Sequence, residues 1–470
     1  MNKSSLQEVS DSHSTEQLTK IRSKEFECMK AAKEILIEEF TKVGHLSLRW
    51  WKGKFWKWND RHYVNLSDIE LKADVLRWLD SYVENPKPHQ ADQIVECLKS
   101  LTKMKFSVTP GTWISTGKHS DIIALKNGLL DIDKAASGDS DALMQNTPDF
   151  FALSSADYSY DPSAQCPKFT AALKLYFAED QDRKALLLEW YGYCLVPDTQ
   201  YNKIMVMTGD GANGKSVMLE VLRILVGKDS CSAVPLELIA HRFQAMSTYG
   251  KLVNISPEIS KFDQKTEALL KSHSSGDIVQ FEEKNKPSFS AKPTARLTLA
   301  ANTMPGISDK TEAMYRRLLF LPFEFQIPEE QQDPRYKESG RADWPFRDEM
   351  PGILNLSLNA LKQLRARGKF HTPELSKQHS EEYRNFNNPV RLFLKDRVEE
   401  CETGSVPKEI LYEDYIKWAG MTGHPVLSDS LFGRELRRMF PSVRKVKIGS
   451  GKDRRTVYKN IEFKQGEENE

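Results

Sequence analysis

The sequence predicts an α/β protein: a three-layered nucleotide-binding core, a mixed α/β unit before it and a winged-helix unit after it. Three observations predict this. Between about residues 156 and 375, short apolar runs alternate with helical patterns, which is the arrangement of helices packed on a mostly parallel sheet. Within that span the run IMVM leads into GDGANGKS, Gly209 to Ser216, and on into SVMLEVLRILVG, a strand, a glycine-rich turn and a helix. Near the C-terminus, LSDSLFGRELRRMFPSVRKVKIGSGKDRRTVYKNIEF reads as helix, strand, glycine turn, strand.

The elements follow in order. Residues 1–24 are polar and mixed in charge, and are expected to be a short flexible tail without a secretory signal. Residues 25–155 open with a helical stretch, KEFECMKAAKEILIEEFTKVG, then the aromatic piece LRWWKGKFWKWNDRHYVNL. A second helix, LSDIELKADVLRWLDSYVE, has Ser67 or Asp68 placed to cap it. The segment IIALKNGLLDID is strand-like, with Asn127-Gly128 as its turn. PKFTAALKLYFAEDQDRKALLLEWYGYCLVP supplies two helices ahead of the nucleotide strand. Residues 376–388 read as a polar, hinge-like linker. NPVRLFLKDRVEE then starts a C-terminal unit, 389–470, of three helices and a basic hairpin.

Composition excludes some classes. No apolar stretch approaches the roughly 20 residues of a membrane span. Cys28, Cys97, Cys166, Cys194, Cys231 and Cys401 stand singly, with no CxxC pair or zinc spacing, so reduced thiols of a cytoplasmic protein are expected. A net charge of +1 leaves any basic surface to be local.

GDGANGKS matches the phosphate-binding pattern GxxxxGK[ST] without a mismatch. In such a loop, Gly209, Gly211 and Gly214 let successive backbone N–H groups face phosphates, with Asp210, Ala212, Asn213 and Val217 completing the cradle. Lys215 reaches the β- and γ-phosphates, the Ser216 hydroxyl ligates Mg²⁺, and the following helix directs its positive end at the same anion. This predicts an ATP site. Downstream, KLVNISPEIS places Glu258 beyond an apolar strand, where a carboxylate polarises an attacking water and contributes to the metal site. Pro257 stands where many such ATPases carry a second acid. LTLAANTMP ends a buried strand in Asn302, a neutral amide able to sense the γ-phosphate. AMYRRLLFLPF puts Arg316 and Arg317 ahead of another strand, and either can reach a neighbouring subunit; Arg317 is favoured. Between these, SSGDIVQFEEKNKPSFSAKPTARL reads as a hairpin, with Lys284 and Lys286 near the tip and Phe289 close by. That combination suits a single nucleic-acid strand, though it also fits an ordinary solvated hairpin.

In this order, GDGANGKS, ISPEIS, the lysine hairpin, LAANTMP and YRRLLFLPF resemble the superfamily 3 helicases. These are AAA+ ring motors, and the likeness is to the phage and plasmid primase–helicase branch related to the poxvirus helicase–primase. The likeness extends over about residues 110 to 470. It implies an AAA+ P-loop core and ATP-driven, 3′-to-5′ unwinding of single-stranded and forked DNA by a homo-hexamer. It also implies a bacterial host cytoplasm and a separate primase as a possible partner. On that match Lys215 and Ser216 hold nucleotide and Mg²⁺, Glu258 activates water, and Asn302 senses phosphate. Arg316 or Arg317 acts on the next subunit, and Lys284 or Lys286 grips DNA.

Asp131-Ile132-Asp133 is a DxD, but it falls in a strand that the likeness already explains and has no second acidic motif upstream, so no priming site is expected. The aromatics Trp50, Trp51, Phe55, Trp56 and Trp58 are read as a hairpin and its core, with base stacking as the alternative. Between Ser442 and Lys464 eight basic residues face two acidic ones, so a basic wing with Lys447 and Arg454, beside Arg434 and Arg438, suits double-stranded DNA, with protein contact as the alternative. That the DNA is an origin is what the resemblance implies. A DNA-binding initiator whose ATP controls assembly, and a small-molecule P-loop kinase, are the rival readings.

Overall fold

The structure, a computed structural model, describes residues 26–241, 243–256, 263–284, 287–302, 304–309, 311–450 and 454–464. The expected tail 1–24 therefore lies outside the described residues.

The N-terminal unit begins with α1 (Cys28–Glu38) and the antiparallel sheet β1 (Leu48–Trp51), β2 (Lys54–Trp58) and β3 (Tyr63–Leu66). The aromatic segment is thus a three-stranded sheet, with Trp51, Phe55 and Trp58 buried and Trp50 and Trp56 half-buried. Helices α2 (Asp68–Tyr82) and α3 (Pro88–Leu101) pack with α1 over Leu71, Val75, Ile94 and Leu98. Ser67 caps α2 in a capping box with Glu70. The hairpin β4 (Ile122–Leu125) and β5 (Gly128–Asp131) turns at Asn127-Gly128. Asp131 then caps the short helix α4 (Ile132–Ser137), and Asp133 pairs with Arg365. Both carboxylates of the DxD are thereby in structural roles.

The core contains α5 (Pro167–Phe177), α6 (Gln181–Cys194), β6 (Ile204–Thr208), α7 (Lys215–Leu225), β7 (Cys231–Ser232) and β8 (Val253–Ser256). It continues with α8 (Gln264–Ser275), the hairpin β9 (Val279–Phe281) and β10 (Phe289–Ala291), then β11 (Arg296–Ala301), β12 (Leu318–Pro322), α9 (Met350–Arg367) and α10 (Glu374–Asn387). The central sheet has the order β7-β8-β11-β6-β12 and is parallel throughout. Its strands are apolar and buried on both faces, as a parallel sheet between helical layers requires. Strand alternation sorts the side chains. Met205 and Met207 of β6 pack with Trp190 of α6, Met218 of α7 and Leu361 of α9, whereas Ile204 and Val206 face Leu270 of α8 and Tyr383 of α10.

Residues 376–388, expected as a linker, fall almost wholly within α10. The segment is polar, but Ser376, Tyr383 and Asn387 recur at helical spacing and are buried, so one face packs while the other stays wet. The C-terminal unit also differs from expectation. A ten-residue strand, β13 (Val398–Pro407), lies between α11 (Pro389–Arg397) and α12 (Lys408–Thr422). Then follow α13 (Asp429–Met439), β14 (Arg444–Ile448) and β15 (Arg455–Phe463), in an antiparallel sheet of order β13-β15-β14. Its core joins Phe393, Tyr415, Phe432, Leu436 and Tyr458. Alternation is hard to see in VEECETGSVP, because half of its residues are exposed and only three are buried.

Candidate nucleotide site and nucleic-acid surfaces

The loop Gly209–Gly214 leaves the end of β6 and feeds α7, whose first residue is Lys215. Gly214 has φ 88°, and a Cβ there would run into the Tyr176 ring; at Gly209 it would strike the Asn213 amide and the Phe323 carbonyl. The loop is pinned from outside: Asn213 Nδ2 donates to the Phe323 carbonyl at 3.1 Å, and the Ile327 N–H to the Ala212 carbonyl at 2.8 Å. Lys215 is buried. Its ammonium donates to the Gly209 carbonyl at 2.5 Å, to Asn213 Oδ1 at 3.1 Å and to Asn302 Oδ1 at 3.3 Å. Burial holds its pKa below the usual lysine value, with Asp210 opposing.

Asn302 arrives there because of register. β11 lies beside β6 with Ala301 opposite Thr208, so the residue after β11 emerges where the glycine loop begins. The loop beyond Asn302 is braced on two sides. From α10, the Tyr383 hydroxyl donates to the Pro305 carbonyl at 2.6 Å, and Asn387 Oδ1 accepts from Ile307 N–H at 2.7 Å. From α8, the Glu267 carboxylate accepts from the N–H groups of Ser308 and Asp309, at 2.6 and 3.0 Å. β8 pairs with the far side of β11, Ser256 opposite Leu299, which brings the chain towards Glu258. Glu258 itself lies outside the described residues.

These groups open on a cleft of about 520 Å³. Residues Gly211 to Val217 line it, together with Asn302, whereas Gly209 and Asp210 do not. Other walls come from α5 (Lys168, Leu175, Tyr176) and from the segment carrying Ile327, Gln331 and Tyr336. Burial pushes the Tyr176 phenol up to about 12. Sequence reasoning missed these wall residues. They come from two stretches far apart in the chain, and neither carries a motif.

The two arginines part company. Arg317 is buried, with Nε donating to Ser274 Oγ at 3.1 Å, Nη2 to Ser275 Oγ at 2.7 Å and Nη1 to the Ala313 carbonyl. Burial and the adjacent Arg316 lower its pKa. Arg316 is exposed. Both precede β12, which runs parallel to β6, so they lie at the opposite end of a five-residue strand from the chain's own glycine loop, roughly 17 Å away.

Lys284 is exposed beyond β9, and Lys286 lies outside the described residues. Phe289 stands close to the lysine loop, and its ring is packed among other rings. It opens β10 at the loop end of the hairpin, opposite Phe281, with its ring 5.0 Å from Tyr249 and 5.7 Å from Phe106. In the C-terminal unit Arg434 and Arg437 project from α13 into solvent, while Arg438 pairs with Glu435 at 2.7 Å. Lys447 lies on the exposed strand β14, and Arg454 is exposed just before β15. Among the described residues, no cluster of His, Cys, Asp and Glu is arranged to hold a metal, and no helix is long and apolar enough to cross a membrane.

Three family models match parts of the chain: D5 N terminal like over residues 36–177, a family of unknown function (DUF5906) over 207–317, and the RFX DNA-binding domain over 387–465. Over 375 residues, 72% of its length, the chain is 24% identical to "Putative helicase L207/L206" of Acanthamoeba polyphaga mimivirus, of which it spans 38%. Among solved structures, the A form of the NrS-1 C-terminal region aligns over 93% of this chain and 100% of that one, with a TM-score of 0.55 and 11% identity. A further apo structure of the same region aligns over 92% and 99%, with a TM-score of 0.50 and 13% identity. The P-loop sheet, the unit before it and the basic unit after it together have the fold of the NrS-1 C-terminal region.

Proposed function

We propose that the chain is an ATP-driven DNA motor of the viral primase–helicase kind, an AAA+ protein of superfamily 3 that acts in replication as a ring. One observation carries this reading: Lys215 and Asn302 meet in a cleft at the N-terminus of α7. A bound triphosphate gives the buried ammonium an anionic partner, of which it has none among the described residues, and the neutral Asn302 side chain adds no charge to oppose it. The lining residues fit the group, since Gly211 to Val217 border the cleft and the Ser216 hydroxyl is exposed in it. Ser216 would hold Mg²⁺, which supplies positive charge against the phosphate oxygens. Glu258, two residues beyond β8, would orient the attacking water. The strand order supports a common site for these groups, because β11 lies between the nucleotide strand β6 and the strand leading to Glu258.

Arg316 suits the role of a finger on the neighbouring subunit better than Arg317, whose guanidinium is already engaged within the chain. Lys284 at the hairpin would track the strand. The relative named as a helicase and the D5 N terminal like match support the motor reading. The RFX DNA-binding match supports a double-stranded contact through a winged helix, by Arg434, Arg438, Lys447 and Arg454. That match also favours the second reading, an initiator that melts an origin without processive unwinding.

The test is ATP hydrolysis with and without single-stranded DNA, run beside unwinding of a forked duplex. DNA-stimulated hydrolysis with unwinding is expected. Stimulation with melting confined to one origin would favour the initiator, and a rate indifferent to DNA would remove both readings.

A further inference from the structure

A second cavity, of about 520 Å³, lies between the N-terminal unit and the core, against strand β10 of the hairpin and the residues after it. Its size falls within the range of about 300–1,000 Å³ usual for small-ligand sites. Its walls are mostly apolar, and its charged or basic lining residues are Lys52, His119 and Lys292, with no carboxylate among the described residues that line it. At its mouth Phe106 is 61% exposed, with its ring edge-on to Phe289 at 5.7 Å. An exposed phenylalanine beside a half-buried one is a poor solvent surface and a good stacking face.

Lys52 gives the independent observation. It sits in the Lys52-Gly53 turn between β1 and β2 with φ 50°, a left-handed conformation disfavoured for lysine. That conformation carries its ammonium onto the rings of Phe289 (3.7 Å), Tyr249 (4.0 Å), Trp51 and Phe106, and it donates to the Tyr249 hydroxyl at 2.5 Å. The adjacent Lys54 pairs with Glu283 of the hairpin at 2.9 Å, yet among the described residues no carboxylate pairs with Lys52, and burial alone lowers its pKa to about 8. A half-buried cation held by rings and one hydroxyl is an anion site without its anion. A ligand combining a flat apolar face with a phosphate satisfies the lysines and the rings together.

We propose that this cavity seats one unpaired nucleotide of a single DNA strand, its base against Phe106 and Phe289 and its phosphate towards Lys52 and Lys292. The site adjoins the hairpin bearing Lys284, so a strand tracked there passes the cavity mouth. This rests on the DNA-motor reading and adds to it a base-holding site shared between the N-terminal unit and the core.

The experiment measures fluorescence anisotropy of a labelled oligo(dT) with the full chain. Phe106 is exposed, so Phe106→Ala is expected to leave the melting temperature unchanged while weakening binding about 5- to 150-fold, the range for one stacked base. Lys292→Ala is expected to lower the slope of log affinity on log salt by about 0.7. A strand with abasic positions should bind the unsubstituted chain more weakly, and Phe106→Ala should no longer distinguish it from oligo(dT). The proposal is overturned if both variants bind as the unsubstituted chain does, or if the abasic penalty survives in Phe106→Ala. It is also overturned if free thymidine monophosphate, rather than the strand, loses affinity through Phe106→Ala. Loss of binding through Lys284→Ala alone would keep the DNA reading and discard the cavity. An unsubstituted chain that binds no strand would discard both.

Discussion

The Lys215 ammonium lies 3.3 Å from Asn302 Oδ1 across 87 residues of sequence. The contact depends on one feature of the sheet, the placing of β11 directly beside β6 with Ala301 opposite Thr208. Two residues from separate motifs thus become one contact in the cleft.

Substitution at Asn302 tests that pair. Asn302→Asp places a carboxylate beside the ammonium, so it is expected to tie up Lys215 and weaken ATP binding as well as hydrolysis. Asn302→Ala should retain binding and lose about 10²-fold in turnover, the scale for removing one preorganised polar group. Equilibrium binding of a fluorescent ATP analogue and steady-state phosphate release separate the two. Equal binding by both variants would contradict the pairing.

The arginines predict opposite phenotypes. Arg317→Ala should lower stability by about 1–3 kcal/mol, because it removes the guanidinium bonded to Ser274, Ser275 and the Ala313 carbonyl. Arg316→Ala should leave the melting temperature unchanged and abolish hydrolysis, with partial recovery on mixing with Lys215→Ala. A thermal melt and a mixing assay check both. Hydrolysis that survives in Arg316→Ala would remove the finger.

His273 predicts an acid limb in stability. It is buried on α8 between residues that hold the loop after Asn302 and Arg317, and burial lowers its pKa to about 4. The unfolded chain takes up this proton near pH 6.5, and the folded chain does so only near 4. Between those values the unfolded state binds more protons, so stability falls as pH drops through the window, by roughly 3 kcal/mol at its end. His273→Leu should flatten that limb in denaturant melts between pH 7 and 4. An unchanged slope would place the acid sensitivity elsewhere.

The C-terminal unit predicts a salt signature. Arg434→Ala, Lys447→Ala and Arg454→Ala should each weaken duplex DNA binding and each lower the salt slope by about 0.9, the value for one phosphate contact on a duplex. Arg438→Ala should do less, because Arg438 is paired with Glu435. Titrations at several salt concentrations check the order.

What the sequence by itself determined is local. GDGANGKS sets a glycine turn between a strand and a helix, Ser67 with Glu70 sets a helix start, and Asn127-Gly128 sets a hairpin, because each depends on backbone chemistry within a few adjacent residues. The basic run from Arg444 to Arg455 is legible for the same reason, since charge is a property of composition. What only the tertiary structure decided is which local pieces meet and which side chains lose water. Strand order put Asn302 beside Lys215, and close packing buried Arg317 while leaving its neighbour exposed. Packing on β12 turned a polar stretch into helix α10, whose Tyr383 and Asn387 brace the loop after Asn302. The walls at Lys168, Tyr176 and Tyr336 come from separate segments gathered by the same core. These outcomes depend on apolar area buried across distant parts of the chain, a quantity that no short stretch of residues encodes.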